Sequence, residues 1–73
     1  MVYGVILFPS TYFALRAEKK SKEKGLSVRL IPVPRHLSSD CGVCLRIFWE
    51  QRETIESLLK EEGVRMEGVH PME

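Results

Sequence analysis

An almost continuous apolar run, residues 2–8, opens this 73-residue chain and limits the folds that it can adopt. A strand that is apolar on both faces belongs in the middle of a sheet, where neighbouring layers cover it. Pro9 ends the run, and Ser10 or Thr11 follows as the N-cap of a predicted helix over residues 12–24. The glycine after that helix can adopt the left-handed conformation that ends a helix. The first two elements are therefore a central strand and a helix.

Three more strands and a second helix are predicted from the rest of the pattern. Residues 26–30 alternate between apolar and polar, and the two prolines that follow place this strand at a sheet edge. Residues 43–48 alternate as well and form the third strand. One face carries Val43, Leu45 and Ile47, and the other carries Cys44, Arg46 and Phe48. A helix from residue 49 or 50 to residue 62 and a short edge strand over residues 64–67 complete the order.

The order strand, helix, strand, strand, helix, strand predicts an α+β fold of the ferredoxin-like βαββαβ type. In that fold a four-stranded antiparallel sheet has the strand order 4-1-3-2, and two helices cover one of its faces. Residues 22–25 and 60–63 are similar in sequence, and each leads from a helix through a glycine into a strand. This similarity supports a fold made of two corresponding halves. A chain of 73 residues forms one domain, residues 1–73, too small for an enclosed substrate cavity. We therefore expect function to lie on a surface loop or at an interface.

Charge and hydropathy argue against several function classes. The net charge is +1, with 11 Lys and Arg against 10 Asp and Glu, which does not favour nucleic acid as a partner. No segment reaches transmembrane length and residues 1–9 lack the features of an export signal, so we expect a cytoplasmic protein with no membrane partner. In a reducing compartment, the close pair Cys41 and Cys44 is more often metal-binding or redox-active than a structural disulfide.

The predicted topology brings Cys41 close to the start of the first helix. The loop before the third strand lies at the sheet end where the first strand ends, so Cys41 is expected beside Ser10 and Thr11. A helix N-terminus offers unpaired N–H groups and a partial positive charge, and both favour a thiolate. Arg35 or Arg46 would add to this effect if it lies near the sulfur. The sequence therefore predicts a nucleophilic sulfur at Cys41.

The segment around Cys41 carries further candidate residues. Gly42 is expected to let the backbone bend tightly and to leave the sulfur uncovered. Residues 38–40 (Ser-Ser-Asp) are expected to hold the loop through side-chain bonds to the backbone. His36 is a weaker candidate for a base, because a lone loop histidine is usually solvated. His70 is expected beyond the last strand, at the opposite end of the sheet from Cys41.

Three interpretations of the Cys41–Cys44 pair stay open on the residues alone. In the first, the pair performs thiol redox or sulfur-transfer chemistry, in which one thiolate attacks and the other resolves. In the second, it supplies two of the four ligands that structural zinc requires, and a second chain or a histidine supplies the rest. In the third, the cysteines are small residues that enter a central strand. A thioredoxin-type oxidoreductase fits poorly, because its motif lies where a strand leads into a helix, whereas this pair precedes a strand.

Four segments of the chain resemble one family of short bacterial proteins. They are residues 9–11 (Pro-Ser-Thr), 14–18 (Ala-Leu-Arg-Ala-Glu), 30–35 (Leu-Ile-Pro-Val-Pro-Arg) and 38–42 (Ser-Ser-Asp-Cys-Gly). The family is that of the selenium/sulfur carrier protein-like proteins, and the resemblance extends over nearly the whole chain. The proline-arginine loop followed by Ser-Ser-x-Cys-Gly is its most specific part.

This resemblance implies a carrier rather than a stand-alone enzyme, with no cofactor or metal of its own. Cys41 would hold sulfur or selenium as a persulfide or selenopersulfide, and Cys44 would resolve or shield it. At the site, the resemblance covers Cys41 and Gly42, whereas Ser10, Thr11 and Arg35 or Arg46 are predicted from their expected position to stabilise the charged adduct. The implied partners are a cysteine desulfurase-like donor and an acceptor protein. The alternative is a zinc-binding or thiol-redox interaction module, and a homodimer is consistent with either function.

Overall fold

The computed structural model of the protein describes residues 2–37 and 41–72. Within these residues the chain forms four strands and two helices, which confirms the predicted α+β class. In chain order the elements are β1 (Tyr3–Leu7), α1 (Thr11–Glu23), β2 (Arg29–Pro32), β3 (Val43–Phe48), a 3₁₀ turn (Trp49–Gln51), α2 (Arg52–Glu61) and β4 (Gly68–Met72). In the described part of the chain, no helix is long and apolar enough to cross a membrane.

The strands form one open antiparallel sheet. Its order is β2-β3-β1-β4, and the same sheet counted from the β4 edge runs 4-1-3-2. β1 pairs with β3 on one side and with β4 on the other, while β2 pairs with β3. The two most apolar strands, β1 and β3, therefore occupy the middle of the sheet, each between two neighbouring strands.

Both helices pack on one face of the sheet, which we call the helix face. The core on this face joins residues of β1, β3, α1 and α2, among them Ile6, Phe8, Leu45, Ala14, Ala17, Ile55 and Leu59. The two alanines of α1 are fully buried, and their small side chains allow the helix to approach the sheet closely. A smaller cluster, Val5, Leu7 and Cys44, lies on the opposite face, which we call the open face.

The two helices end in the same way. Gly25 and Gly63 have φ values of 76° and 71°, in the left-handed region that glycine adopts without strain. After α1, the Leu26 N–H donates to the Ser21 carbonyl at 3.0 Å, and after α2 the Val64 N–H donates to the Leu59 carbonyl at 2.9 Å. These bonds define Schellman motifs, so the glycine signals in the sequence located both helix ends within two residues.

The predicted positions of two edge strands are wrong. The last strand was expected over residues 64–67, but β4 is Gly68–Met72, because Val64 packs into the core on the helix face directly after α2. The chain then needs the next residues to reach the sheet edge, where the Glu67 N–H donates to the Leu7 carbonyl at 2.7 Å. β2 likewise lies later than residues 26–30, since Leu26 and Val28 pack against the core instead of pairing with β3.

The shift of β4 also corrects the expected position of His70. This residue lies within the strand, opposite Val5 of β1, and not beyond the end of the sheet. Its ring extends back over Gly68, so that a methyl group on Gly68 would lie 2.8 Å from Nε2 of His70. Because cross-strand partners share a face, His70 stands on the open face with Val5.

Candidate thiol site

Cys41 lies immediately before β3, at the end of the sheet where β1 stops and α1 begins. Its Sγ is 3.7 Å from the Thr11 hydroxyl oxygen at the first turn of α1. This contact confirms the predicted approach of Cys41 to the helix start. The side chain is only 3% exposed and belongs to the core on the helix face, so the expectation that Gly42 leaves the sulfur uncovered is wrong.

The start of α1 provides the polar surroundings of this sulfur. Ser10 is the N-cap residue in extended conformation, and its hydroxyl makes no capping hydrogen bond. Its carbonyl accepts from the Ala14 N–H at 3.2 Å, which begins the helical pattern. The N–H groups of the first turn have no acceptor within the helix and carry its partial positive charge. The Cys41 sulfur therefore lies beside the N-terminal end of α1.

Cys44 lies within β3 and faces the opposite side of the sheet. It is fully buried in the cluster on the open face, with Val5 and Leu7. Its thiol donates to the Pro32 carbonyl at 3.9 Å, a contact with the backbone of β2 that no sequence pattern could reveal. Burial raises the pKa of the Cys44 thiol from 9.0 to about 11, with a smaller contribution from charge on Cys41. Cys44 therefore stays protonated near neutral pH.

The two thiols thus belong to different cores although they are three positions apart in the sequence. The two cysteines are not joined by a disulfide bond. The odd-numbered side chains of β3 face the helices and the even-numbered ones face the open side, and this alternation fixes Cys44 on the open face. The sequence predicted the alternation of β3 correctly, but it did not predict that Cys41 would join the other face.

The remaining predicted site residues are spread over the molecule. Arg35 is exposed in a turn closed by the Leu37 N–H, which donates to the Pro34 carbonyl at 3.0 Å. Gly42 is exposed and its φ is not positive. A methyl group there would meet none of the described residues within 4 Å, so its backbone conformation does not require glycine. Arg46 stacks over the Tyr3 ring on the open face, 4.4 Å from its centroid, and so points away from the Cys41 side of the sheet. Residues 38–40 lie outside the described residues.

The possible metal ligands do not cluster in the described part of the chain. Among residues 2–37 and 41–72, no three His, Cys, Asp or Glu side chains come close enough together to hold an ion. Two thiols on opposite faces also differ from the convergent pair that tetrahedral zinc requires. A zinc site formed by Cys41 and Cys44 would therefore need both a second chain and a rearrangement of β3.

Fold and site together define a small α+β protein with a buried thiol held at a helix N-terminus. The family model described as "Putative Se/S carrier protein-like" matches residues 3–71, almost the whole chain. The protein belongs to this family. No curated protein and no solved structure matches the chain significantly.

Proposed function

We propose that the protein carries sulfur or selenium on Cys41 as a persulfide or selenopersulfide. The observation that supports this most directly is the 3.7 Å contact between the Cys41 sulfur and the Thr11 hydroxyl at the start of α1. The family description names the same two elements as cargo. A persulfide is anionic near neutral pH, and an anion is stabilised by the N–H groups and partial positive charge of a helix N-terminus.

Loading is a transfer between thiols that needs no external oxidant. The Cys41 thiolate attacks the outer sulfur of a donor persulfide, the S–S bond of the donor breaks, and the donor leaves as a thiolate. We propose a cysteine desulfurase-like protein as this donor. Because Cys41 is only 3% exposed, the side chains around its sulfur must move to admit the donor and can then close over the cargo.

The residues proposed to hold the cargo lie at the start of α1. The Ser10 hydroxyl makes no capping bond and Thr11 already contacts the sulfur, so both can donate to the outer atom of the adduct. Arg35, exposed on the turn before the site, is the arginine that can swing toward it. Arg46 is held over Tyr3 and is assigned a separate role below.

Release of the cargo is proposed to use a thiol of the acceptor protein and not Cys44. An attack by Cys44 would expel hydrosulfide and leave a Cys41–Cys44 disulfide. That route requires two thiols on opposite faces of the sheet to converge, and it requires a thiol with a pKa of about 11 to ionise. Attack by an acceptor thiolate on the outer sulfur instead restores the Cys41 thiolate and transfers the sulfur as a persulfide.

Three further expectations accompany this proposal. A cytoplasmic location fits a thiol that must stay reduced, and a homodimer would cover part of the open face. We also propose that the fold is ferredoxin-like, because both helices pack on one face of a four-stranded antiparallel sheet. None of these three features is needed for the thiol chemistry at Cys41.

Intact-protein mass spectrometry tests the proposal. Reduced, metal-free protein is exposed under anaerobic conditions to a persulfide donor, and in a second series to selenite with thiol. We expect the added mass of one sulfur or selenium in the wild type and in Cys44→Ala, and none in Cys41→Ser, with circular dichroism to verify the fold of each variant. Loading of Cys41→Ser at the wild-type level would overturn the proposal, and loss of two protons without added mass would show a disulfide switch instead.

A further inference from the structure

A second polar surface lies at the end of the sheet opposite Cys41. It is a groove of about 350 Å³ that adjoins the free edge of β2, and we call it the basic groove. The lining residues used below are Tyr3, Lys22, Ser27, Arg29, Arg46 and Phe48. The thiol chemistry proposed above uses none of its side chains, so the basic groove requires a separate explanation.

Two arginines of the basic groove stand directly opposite each other. Arg29 of β2 pairs with Arg46 of β3 in the sheet register, so both side chains are on the open face. Like charges in such a pair destabilise a sheet. Among the described residues, neither guanidinium forms an ion pair with a carboxylate, whereas Lys22 at the rim contacts Glu18 at 3.4 Å. Within the described part of the chain, the fold therefore holds two positive charges side by side without a carboxylate partner.

Aromatic rings hold one of these arginines in place. The Arg46 guanidinium lies 4.4 Å from the centroid of the Tyr3 ring, and Tyr3 in turn stacks on Phe48 with centroids 5.3 Å apart. A guanidinium that stacks through its flat face keeps its in-plane N–H groups for hydrogen bonds. Its fork of donors matches the two oxygens of a carboxylate, and restricted motion reduces the entropy lost on binding.

We propose that the basic groove binds an acidic segment of a partner protein, whose carboxylates pair with Arg29 and Arg46. Charge complementarity supports this occupant, because the groove presents two arginines that have no carboxylate partner among residues 2–37 and 41–72, with exposed Ser27 beside the edge strand β2. RNA is disfavoured, because Tyr3 is already stacked with Phe48 and Arg46, and bases bind such sheets by stacking on free rings. The net charge of +1 also provides little long-range attraction for nucleic acid.

Binding of a short glutamate-rich peptide, labelled with a fluorophore, tests this proposal by anisotropy at low salt. Its control is the same peptide with glutamine in place of each glutamate. We expect the wild type to bind the acidic peptide in a salt-sensitive manner, and Arg29→Gln/Arg46→Gln to weaken binding by at least about tenfold. Arg65→Gln is the matched control, because Arg65 is exposed outside the basic groove and should leave binding unchanged. The single variant Arg29→Gln replaces the double variant if the latter does not fold.

Several outcomes would overturn the proposal. The wild type and the Arg29→Gln/Arg46→Gln variant could bind the acidic peptide with equal affinity, or the wild type could bind both peptides equally well. Either result would show that the two arginines do not bind carboxylates. Tighter binding of a single-stranded RNA oligonucleotide would identify nucleic acid as the occupant. Binding of inorganic phosphate without the peptide would identify a free anion. Since no cysteine takes part, sulfur loading of Cys41 can fail or succeed independently of these results.

Discussion

At the scale of single residues, the environment of each cysteine decides its chemistry. Cys41 and Cys44 are both almost completely buried, yet one lies beside a helix N-terminus and the other among apolar side chains. Burial raises the pKa of the Cys44 thiol to about 11, whereas the Cys41 sulfur contacts the Thr11 hydroxyl at 3.7 Å. A Cys-x-x-Cys spacing alone suggests two cooperating thiols, and the structure instead places the two thiols in different clusters on opposite faces of the sheet.

Replacing Thr11 by valine should impair cargo retention while keeping the shape of the side chain. The variant loses the hydroxyl 3.7 Å from the Cys41 sulfur, so we expect the persulfide on Cys41 to decay several-fold faster than in the wild type. The lifetime of the adduct, followed by mass spectrometry, measures this effect. Thr54→Val is the control, since Thr54 is exposed on α2. An unchanged lifetime in Thr11→Val would contradict a role for the hydroxyl.

The stability of the fold should fall at alkaline pH because of Cys44. Its pKa is raised on folding, so its contribution is fully present below pH 9.0 and is lost as pH rises toward about 11. The shift corresponds to roughly 2–3 kcal/mol. Urea unfolding of the wild type and of Cys44→Ala at several pH values measures the difference. We expect the wild type to lose more stability than the variant between these pH values, and parallel curves would refute the assignment.

Replacing Ser21 by alanine should stabilise the protein. Ser21 is fully buried on α1, and among the described residues its hydroxyl oxygen has no hydrogen-bond partner. Removing the hydroxyl avoids its desolvation, and alanine has the higher helix propensity, so we expect a gain of about 1 kcal/mol in urea unfolding. Ser57→Ala on the exposed side of α2 controls for helix propensity alone. A loss of stability in Ser21→Ala would show that the hydroxyl has a partner.

At the scale of secondary-structure elements, the sequence signals for helix ends proved most reliable. The glycines after α1 and α2 both occupy the left-handed position of a Schellman motif. A local backbone requirement of this kind is visible in the sequence, because no other residue adopts the conformation as cheaply. The edge strands lack such a signal, and both were predicted too early in the chain.

Replacing Gly63 by alanine should destabilise the end of α2. Its φ of 71° is strained for a residue with a Cβ, so we expect the free energy of unfolding to fall by about 1 kcal/mol. Gly42→Ala is the matched control, since the φ of Gly42 is not positive and none of the described residues would contact the added methyl group. Thermal unfolding compares the two variants. Equal melting temperatures would show that α2 tolerates a different ending.

At the scale of the whole molecule, the central strand β1 packs tightly against the 3₁₀ turn that precedes α2. Gly4 lies in β1, and a methyl group there would overlap the Trp49 ring. The Trp49 N–H also donates to the Val2 carbonyl at 3.0 Å. This contact joins residues that are far apart in the sequence, so we expect the two parts of the chain to unfold together.

Replacing Gly4 by alanine should therefore cost far more than an ordinary glycine substitution. Because the Trp49 ring has to move, we expect a loss of about 2–3 kcal/mol in urea unfolding. Tryptophan fluorescence should report the displaced ring, since Trp49 is the chain's single tryptophan. Gly42→Ala again serves as the control. Unchanged stability and fluorescence in Gly4→Ala would show that Trp49 is free to repack.

The sequence alone determined the features that depend on local pattern. The apolar runs identified the central strands, glycines identified the helix ends, and the connectivity placed Cys41 at the start of α1. The tertiary structure alone decided where β4 begins, that Cys41 and Cys44 face opposite sides, and that Arg46 stacks on Tyr3. These depend on contacts between segments distant in the chain, where side-chain volume and the length of connecting backbone set the outcome, and local periodicity carries no information about either.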